Sequence, residues 1–529
     1  DRLDQDAKEV LQLASVIGRE FALRILERLF DSNDRLSLSL ETLNLQELIH
    51  QIRLIPEVEY MFKHVITQVV VYETLLLKRR KKLHATVGQA IEELYYERLE
   101  EQYENLAYHY SNSTKIEKAL YYLEMAGDKA TRVYSLTEAR KHYENALSLF
   151  NANKENPEHQ QKFIGLTLKW AEVSQYAPSD KIRETLKLSL NYAQEFGNEG
   201  RIAGVSYWIG RFAYMQGDFI EALPQIKRCI KWAMDLNDQE LLATSYNLIG
   251  RSCLYTDEYS KGIRYLEDGL KLIRHFGQWD DIVYSNAMLG LMLGLTGNFR
   301  KSIETIESAI ELAKEHGILT FEAMAFGYLG SVQFWYGNWQ EAIANCSMCI
   351  RISKRLDNSL PIIWASLFKG AAIFYSGSQD KGLRLMREAI QMLVRTDSVI
   401  ALRFFYSLFA ECLAVHGDNL EAESLIQKAQ ALNQSGQKWG EIVSCRTLAL
   451  LAAAESQPNW NQVESYMGRS IKLAKEREAH PELVVSLFRY ADLLGQKGDK
   501  NRAESYWKQA RDLGIRIDRK IFNRPDYSA

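Results

Sequence analysis

The sequence predicts an all-α protein in which helical hairpins stack along most of the chain. Three observations predict this: small residues return every 40 positions, bulky residues follow them at a fixed distance, and only 8 of 529 residues are proline. A period of this length is typical of stacked repeat units, and scarce proline permits long helices. The small residues are Gly210, Gly250, Gly290, Gly330, Gly370 and Ala410.

Three further series run in register with this one. Nine residues later come Phe219, Tyr259, Phe299 and Trp339, then Gln379 and Asn419. Two more series of mostly small residues are Ala222, Gly262, Ser302, Ala342, Gly382 and Ala422, and Cys229, Gly269, Ala309, Cys349, Ala389 and Ala429. We expect small residues to face each other within a hairpin, and the aromatic residue to fill the gap between hairpins.

The turns of the hairpins are predicted at four glycines, each followed by Asn or Asp. Such pairs tolerate helix termination and positive φ. Asp257 replaces the glycine in one unit, and the unit around 430–460 is displaced by one position, so we expect looser packing there. The glycines are Gly217, Gly297, Gly337 and Gly417.

Composition narrows the classes of function. The 65 basic and 68 acidic residues give a net charge of −3, which provides no general attraction for nucleic acid or an anionic membrane. No apolar run is long enough to span a bilayer, and no secretory signal is seen at the start. The six cysteines lie in predicted helices, which indicates a reducing cytoplasm. Asp1 at the start indicates a fragment of a longer protein.

The first hundred residues follow another pattern. Apolar residues at helical spacing run over residues 3–16, 21–30 and 36–48, and helices resume through Tyr96. Between them, residues 49–62 alternate and contain β-branched residues, which predicts a two-stranded wing. We therefore expect a winged-helix domain over residues 1–95.

Two shorter units overlap upstream of the array. Small and apolar residues at the same spacings predict three helices over residues 96–150, which we interpret as a helical adaptor. The array then occupies residues 151–529, and residues 151–157 are the predicted linker. The residues that carry the pattern are Ala107, Ile116, Ala119 and Ala126, then Gly127, Leu136, Ala139 and Ala146.

The array resembles the tetratricopeptide repeat over about residues 160–515. Ile249-Gly250 and Leu289-Gly290 match the Leu-Gly pair of that repeat, and residues 337–342 (GNWQEA) match its turn and small residue. The period of 40 exceeds the usual length of about 34 residues, which implies longer helices. The resemblance implies a protein or peptide ligand in a groove lined by the first helix of each hairpin.

The N-terminal part resembles the winged helix of STAND-type signalling ATPases. Residues 13–21 (LASVIGREF) look like its start, and residues 62–68 (FKHVITQ) with residues 72–75 (YETL) look like its end. In that family an AAA-type ATPase precedes the winged helix, and a tetratricopeptide-like sensor arm follows it. Bacterial members carry adenylate cyclase or protein kinase domains as well. The resemblance implies ATP or ADP with Mg²⁺ in an upstream domain, and ligand-driven homo-oligomerisation is compatible with it.

His64 occupies the place of the histidine in the Met-His-Asp motif of related switches. There the histidine contacts the β-phosphate of ADP, so the resemblance implies nucleotide sensing at His64. Lys63 and Val65 flank it here, and the acidic residue of the motif is absent. A helix-capping or core histidine is the alternative interpretation.

Catalytic patterns do not emerge from the sequence. There is no phosphate-binding G-x-x-x-x-G-K-[ST] motif, no zinc-ligand spacing and no recognisable catalytic set, so we expect no enzyme activity, metal or cofactor in this segment. Cys346 and Cys349 are predicted to pack in a helix. The basic run at residues 78–82 (KRRKK) is interpreted as a solvated face or a contact to the upstream domain, with DNA binding as the alternative.

The groove is the predicted binding site. Positions three before, one after, and four to five after the glycine series are expected to be exposed on the concave face. Arg211 and Arg251, 40 residues apart, could clamp a carboxylate or phosphate. Their neighbours in this site are Tyr207, Tyr214, Asn247 and Tyr255. An exposed aromatic wall is predicted from Phe334, Trp335, Trp364, Phe374 and Tyr375, with packing between hairpins as the alternative.

These observations favour the regulatory arm of a signal-transduction ATPase. Such an arm binds a protein, peptide or small-molecule ligand and transmits the binding event to an upstream nucleotide-binding domain. A stand-alone scaffold for protein–protein interaction is one alternative, and it would follow if no ATPase precedes Asp1. A transcription regulator is the other. It needs a basic recognition helix, and Arg35 is the only basic residue in residues 35–48.

Overall fold

The computed structural model describes residues 3–150, 156–175, 177, 179–396, 401–432 and 436–519. Most of the predicted linker, residues 151–155, lies outside them. Contacts divide the chain into one unit that ends at Phe196 and a second that begins at Gly197. Within the described residues, no helix is both long and apolar enough to cross a membrane.

The first unit contains ten helices and three short strands in its described part. In chain order they are α1 (Gln5–Ile17), β1 (Glu20–Ala22), α2 (Leu23–Leu29), α3 (Asn33–Leu45), β2 (Ile49–Arg53), β3 (Glu59–Phe62), α4 (Val65–Thr74), α5 (Leu77–Leu94), α6 (Tyr103–Ser111), α7 (Ile116–Arg132), α8 (Leu136–Leu149), α9 (Pro157–Val173) and α10 (Asp180–Glu195). A 3₁₀ segment (Tyr96–Gln102) precedes α6.

The sheet of the first unit has three strands in the order β1-β3-β2, all antiparallel. The sequence predicts a hairpin at residues 49–62, and β2 and β3 form there. It does not predict β1, because residues 21–30 show helical spacing of apolar residues. Phe21 instead pairs with Tyr60, and their rings stack with centroids 6.0 Å apart. A tertiary contact therefore overrides the local pattern.

The helical adaptor predicted at residues 96–150 corresponds to α6, α7 and α8. A Cβ atom added at Gly127 would lie 2.5 Å from the Tyr143 ring, so the glycine lets α7 and α8 approach closely. Gly88 on α5 faces Tyr110 on α6 in the same way. The close helix pairing thus begins before residue 96.

The second unit contains eight helical hairpins in its described part. The first helices are α11 (Glu199–Met215), α13 (Gln239–Tyr255), α15 (Trp279–Leu295), α17 (Leu319–Tyr336), α19 (Ser359–Tyr375), α21 (Leu402–His416), α23 (Glu441–Ala453) and α25 (His480–Lys497). The second helices are α12 (Phe219–Asp235), α14 (Tyr259–Ile273), α16 (Phe299–Glu315), α18 (Trp339–Arg355), α20 (Gln379–Val394), α22 (Asn419–Ala431), α24 (Trp460–Glu476) and α26 (Lys500–Arg516).

The glycine series brings the two helices of a hairpin together, as the sequence predicts. A Cβ atom at Gly290 would lie 2.9 Å from the carbonyl oxygen of Ser302, whose hydroxyl donates to the Gly290 carbonyl at 2.6 Å. A Cβ atom at Gly370 would likewise lie 2.9 Å from the Gly382 carbonyl. Neither position has room for a side chain.

The aromatic series fills the gaps between hairpins. The Phe219 ring stacks on Tyr255 of the next hairpin at 5.2 Å, and Phe299 lies 5.1 Å from Tyr336 in the same relation. The turn glycines adopt positive φ, with +88° at Gly297. Asp257 takes this conformation without being glycine, at φ +59°.

The two helices of each hairpin differ in their surroundings. We call the first helices the inner helices, because those of successive hairpins contact one another, and the second ones the outer helices. The inner helices are buried on nearly all sides, whereas each outer helix buries one face. This explains why α15 and α17 are apolar around their whole circumference.

Candidate functional site: the inner face of the repeat array

The inner face of the array, meaning the surface of the inner helices turned away from the outer helices, is covered by other parts of the second unit. The α25 helix contacts α15, five hairpins earlier in the chain. The Trp335 indole donates to the Glu482 carboxylate at 3.1 Å, and His480 bonds to the Thr296 carbonyl at 2.6 Å. The array thus closes on itself, and its described residues leave no open groove of the predicted kind along the inner helices.

The segment 436–440 (GQKWG) is the centre of this closure. The amide groups of Lys438 and Trp439 donate to the Tyr255 carbonyl at 2.8 and 3.1 Å. The Trp439 ring stacks on Phe404 at 3.9 Å and on Trp364 at 5.4 Å. An irregular piece of chain therefore occupies the inner face, and hydrogen bonds to its backbone hold it there together with aromatic contacts.

The looser packing expected at residues 430–460 is not found in the described part of that range. Residues 433–435 lie outside it. Trp439 is 3% exposed and Arg446 is among the largest fully buried side chains.

The predicted exposure of the Arg211–Arg251 site is wrong for all its members except Arg211, which is half-buried. Contacts from neighbouring inner helices and from segment 436–440 cover them. The rest are buried: Tyr207, Tyr214, Asn247, Arg251 and Tyr255. Their role in binding a ligand stays a prediction.

Arg251 already has an anionic partner within the protein. Its Nη1 donates to Asp281 Oδ1 at 2.6 Å, and Asn247 Nδ2 donates to Asp281 Oδ2 at 2.7 Å. Burial alone would raise the pKa of Asp281, but Arg251 and then Arg211 hold it below its usual value. Arg211 donates to the Tyr207 hydroxyl at 3.1 Å. The carboxylate that Arg251 binds in the structure is thus an internal one, and a ligand clamp formed by Arg211 and Arg251 stays a prediction.

The predicted aromatic wall is not exposed either. Phe334, Trp335, Trp364 and Phe374 are buried, and only Tyr375 is partly exposed. Inner helices of the following hairpins cover them. They pack between hairpins, which is the alternative that the sequence leaves open: Phe334 lies 6.0 Å from Tyr375, Trp335 5.2 Å from Phe368, Trp364 5.3 Å from Phe405 and Phe374 6.5 Å from His416.

A second buried charge cluster joins three inner helices. Arg446 Nε donates to Glu411 at 2.5 Å, and its Nη2 donates to Glu482 at 2.9 Å. Its Nη1 donates to the Ser486 hydroxyl at 3.1 Å. Burial alone would raise the pKa of Glu411, but Arg446 keeps it lowered. All four groups are therefore satisfied by one another.

A third cluster forms at the unusual turn. The buried Asp257 carboxylate accepts from the Tyr259 hydroxyl at 2.7 Å and from Arg477. Arg477 also donates to Glu441 at 2.6 Å. Burial raises the pKa of Asp257 to about 6, although Arg477 opposes the shift. Asp257, which replaces the turn glycine, thus forms an ion pair with a residue 220 positions later in the sequence, and this pair links two distant hairpins.

The sequence interpretation misses Asp281, Glu411, Trp439, Arg446 and Glu482. A signal for Asp281, Glu411 and Arg446 was available, because each is a charged residue in a helix whose other residues are mostly apolar. Such charges are buried and therefore need partners. Glu482 lies on α25, which carries several other charged residues and gives no such signal. Trp439 lies in a connecting segment, where the periodicity carries no information.

The structure also places His64 and the two cysteines Cys346 and Cys349. His64 is the exposed N-cap residue of α4, and its side chain makes no capping bond. Cys346 and Cys349 are free and buried, and burial raises the pKa of Cys349 to about 12. Packing accounts for both thiols, since a reactive thiol needs a lowered pKa and access.

The fold and the inner face define a helical-hairpin repeat protein of the tetratricopeptide-like kind. No protein-family model and no curated protein matches the sequence. Among solved structures, it is similar to a STAND protein with a tetratricopeptide repeat sensor from Pyrococcus horikoshii, with 16% identity and a TM-score of 0.45. That match covers 82% of this chain and 63% of the STAND protein, so the chain spans less than two thirds of that protein.

Two further solved structures are similar at the level of the helical array. One is a Rap protein complexed with competence and sporulation factor, with 12% identity, a TM-score of 0.48, and coverage of 76% of this chain and 99% of that one. The other is the Rap conjugation gene regulator of plasmid pLS20 in complex with the Phr* peptide. Its identity is 14%, its TM-score 0.42, and the match covers 75% of this chain and 95% of that one.

Proposed function

We propose that this chain is the regulatory sensor arm of a signalling ATPase, which binds a protein or peptide ligand on the inner face of its array in place of segment 436–440. The observation that carries the proposal is segment 436–440, a piece of peptide already held there. Arg403 donates to the Gln437 carbonyl at 2.6 Å, and the Tyr255 carbonyl accepts two amide groups of the segment. Backbone hydrogen bonds with a pocket for one side chain are a general mode of peptide recognition.

An unpaired polar atom on α13, the helix that carries Tyr255, supports ligand binding on the inner face. The Nε of Arg251 is buried and has no hydrogen-bond partner among the described residues. Buried polar atoms are rarely left unsatisfied. A bound peptide would provide the acceptor that this atom lacks, so the predicted Arg251 site remains part of the proposal.

We propose that α4 contacts the upstream nucleotide-binding domain and transmits ligand binding to it. None of the residues of α4 is buried, and its apolar side chains include Ile66 at 76% exposure and Val70 at 55%. Exposed apolar surface of this kind marks a contact site. His64 at the start of α4 is free to donate to a phosphate of ADP held by an upstream domain, which would also bind Mg²⁺. The order of α1–α3 and the three-stranded sheet support a winged-helix assignment for this region.

Peptide binding is tested with a displayed library of random peptides, selected on the 529-residue chain. We expect selected peptides to slow backbone amide exchange in the inner helices α13 and α21. The affinity should fall about tenfold in Phe404→Leu, since one interface anchor is worth about 1–2 kcal/mol. The exposed Arg300→Glu on α16 is the control. Failure to select any peptide, or protection confined to outer helices, would overturn this part.

The relay is tested separately in the native polypeptide. We expect that polypeptide to contain a phosphate-binding loop ahead of Asp1, and His64→Ala to speed the release of ADP, with His275→Ala, exposed on the array, as the control. If no nucleotide-binding domain is found, the relay fails and the scaffold alternative replaces it. Peptide binding by the array would be unaffected by that result. We further propose that these residues bind and transmit without catalysis.

A further inference from the structure

A basic cleft of about 710 Å³ lies in the first unit, between α5 and the start of α7. It uses the basic run of α5, which the proposed function leaves unexplained. We call it the lysine cleft and define it by its lining residues: Lys78, Lys81, Lys82, Ala85, Thr86, Gln89, Glu92, Glu93, Tyr110, Thr114, Lys115 and Lys118.

The two acidic residues of the lysine cleft are already neutralised. Glu93 pairs with Arg28 at 2.6 Å. Glu92 pairs with Lys118 at 2.5 Å and accepts from the Tyr122 hydroxyl at 2.7 Å. Neither carboxylate is therefore available to balance the remaining lysines.

Four lysines of the cleft have no ion pair among the described residues. Lys78, Lys81 and Lys82 lie on one face of α5, at the spacing that brings side chains of a helix together. Lys115 immediately precedes α7, and no side chain caps that helix start. The positive end of the helix dipole adds to the charge on this wall. Like charges gathered in one cleft repel each other unless an anion lies between them.

We propose that the lysine cleft binds a small molecule that carries a di- or triphosphate group. Four ammonium groups from two helices match the three or four negative charges of such a group. The volume lies within the usual range for small-ligand sites, roughly 300–1,000 Å³. The hydroxyl groups of Thr86 and Thr114 and the amide of Gln89 are suited to polar parts of the ligand beyond the phosphates.

The shape of the cleft favours a small ligand over nucleic acid. The lysines converge on one concavity, whereas a nucleic-acid site follows a strand with a stripe of charge. The wall opposite α5 is a helix start, which suits a compact phosphate group. None of the lining residues belongs to α4 or to the array, so the site is distinct from both parts of the proposed function.

The experiment uses inorganic tripolyphosphate as the probe, titrated into the 529-residue chain by calorimetry. We expect one site per chain. Lys81→Gln and Lys115→Gln should each weaken binding about tenfold, because each removes a charge-assisted contact to phosphate. Lys231→Gln and Lys354→Gln, exposed lysines on the array, are matched controls. Circular dichroism verifies that each variant keeps its helix content.

Parallel titrations with AMP, ADP and ATP distinguish the source of the phosphate. Tighter binding of ADP or ATP than of tripolyphosphate would show that a nucleoside contributes, and equal binding would show that the phosphate chain suffices. No binding at millimolar probe, or equal loss in the array controls, would overturn the proposal. The proposal would also be overturned if duplex DNA bound more tightly than tripolyphosphate and lost affinity in the same Lys81 and Lys115 variants.

Discussion

Trp439 lies flat on Phe404, with ring centroids 3.9 Å apart and planes inclined by 6°. The same indole stacks on Trp364 and meets Tyr255 edge-on at 6.0 Å. One side chain thus touches inner helices of three different hairpins. It holds the array closed at the place where the proposed ligand would bind.

The first prediction concerns this indole. Trp439→Ala should lower the free energy of unfolding by about 3–5 kcal/mol, since it leaves a cavity lined by aromatic rings. Free indole should restore part of that loss, because an apolar cavity binds an apolar guest of matching shape. Urea unfolding with and without indole measures both effects. Trp507→Ala, 40% exposed on α26, is the control. Equal losses of unfolding free energy in the two variants would contradict the role of Trp439 in holding the array closed.

The second prediction concerns the buried charge cluster at Arg446. Arg446→Met leaves Glu411 and Glu482 buried without a cation, which should cost about 3–5 kcal/mol. Adding Glu411→Leu to that variant should recover part of the loss, because it removes one of the unpaired charges. Chemical denaturation of the single and double variants provides the comparison. Arg300→Met, from a surface pair on α16, should change little.

The third prediction tests the close helix pairing. Gly290→Leu should destabilise the array by about 1–3 kcal/mol, since its side chain would collide with Ser302 and Ile306. Gly468→Leu is the matched control: nothing lies within 4 Å of its Cβ position on α24, so the substitution should be neutral or stabilising. Thermal unfolding followed by circular dichroism measures both variants. A similar effect at the two sites would rule out the packing explanation.

The first unit contains a pair of buried histidines whose protonation opposes folding. His84 Nδ1 and His109 Nδ1 are 3.0 Å apart, and the Tyr72 hydroxyl lies 3.0 Å from His84 Nε2. Burial, and then the nearby Arg80, lower the pKa of His84 to about 4. Burial and His84 lower the pKa of His109 to about 3. Both rings are therefore neutral at pH 7.

The fourth prediction is a loss of stability in acid. In the unfolded chain both histidines titrate near 6.5, so their contribution is complete above that pH and is lost as pH falls towards 4. At pH 5 each should have lost about 2 kcal/mol. The thermal midpoint of the wild type should fall more steeply between pH 7 and pH 5 than that of His84→Gln/His109→Gln. His275→Gln, exposed on the array, should follow the wild type. Parallel curves for all three would exclude the pair as the cause.

The repeat architecture could be predicted from the sequence because it depends on local spacing. Gly290 and Ser302 are twelve residues apart, and a period in the sequence records such a relation directly. Segment 436–440 could not be predicted, because its partner Tyr255 lies in a different hairpin far along the chain. At Arg251, the 40-residue spacing from Arg211 indicates a cation in the repeat, but it gives no sign of Asp281. Charge pairing across the closed array is a tertiary property.

Closure of the array fixes the number of hairpins. In an open stack each unit touches only its neighbours, so one unit more or less leaves the others unchanged. Here Asp257 bonds to Arg477 and Trp335 bonds to Glu482 across several intervening hairpins. Removing a 40-residue unit that lies between the partners would displace one member of each such pair by a whole hairpin. A lineage that carries this chain can therefore vary the side chains of its repeats, but it cannot lengthen or shorten the array one unit at a time.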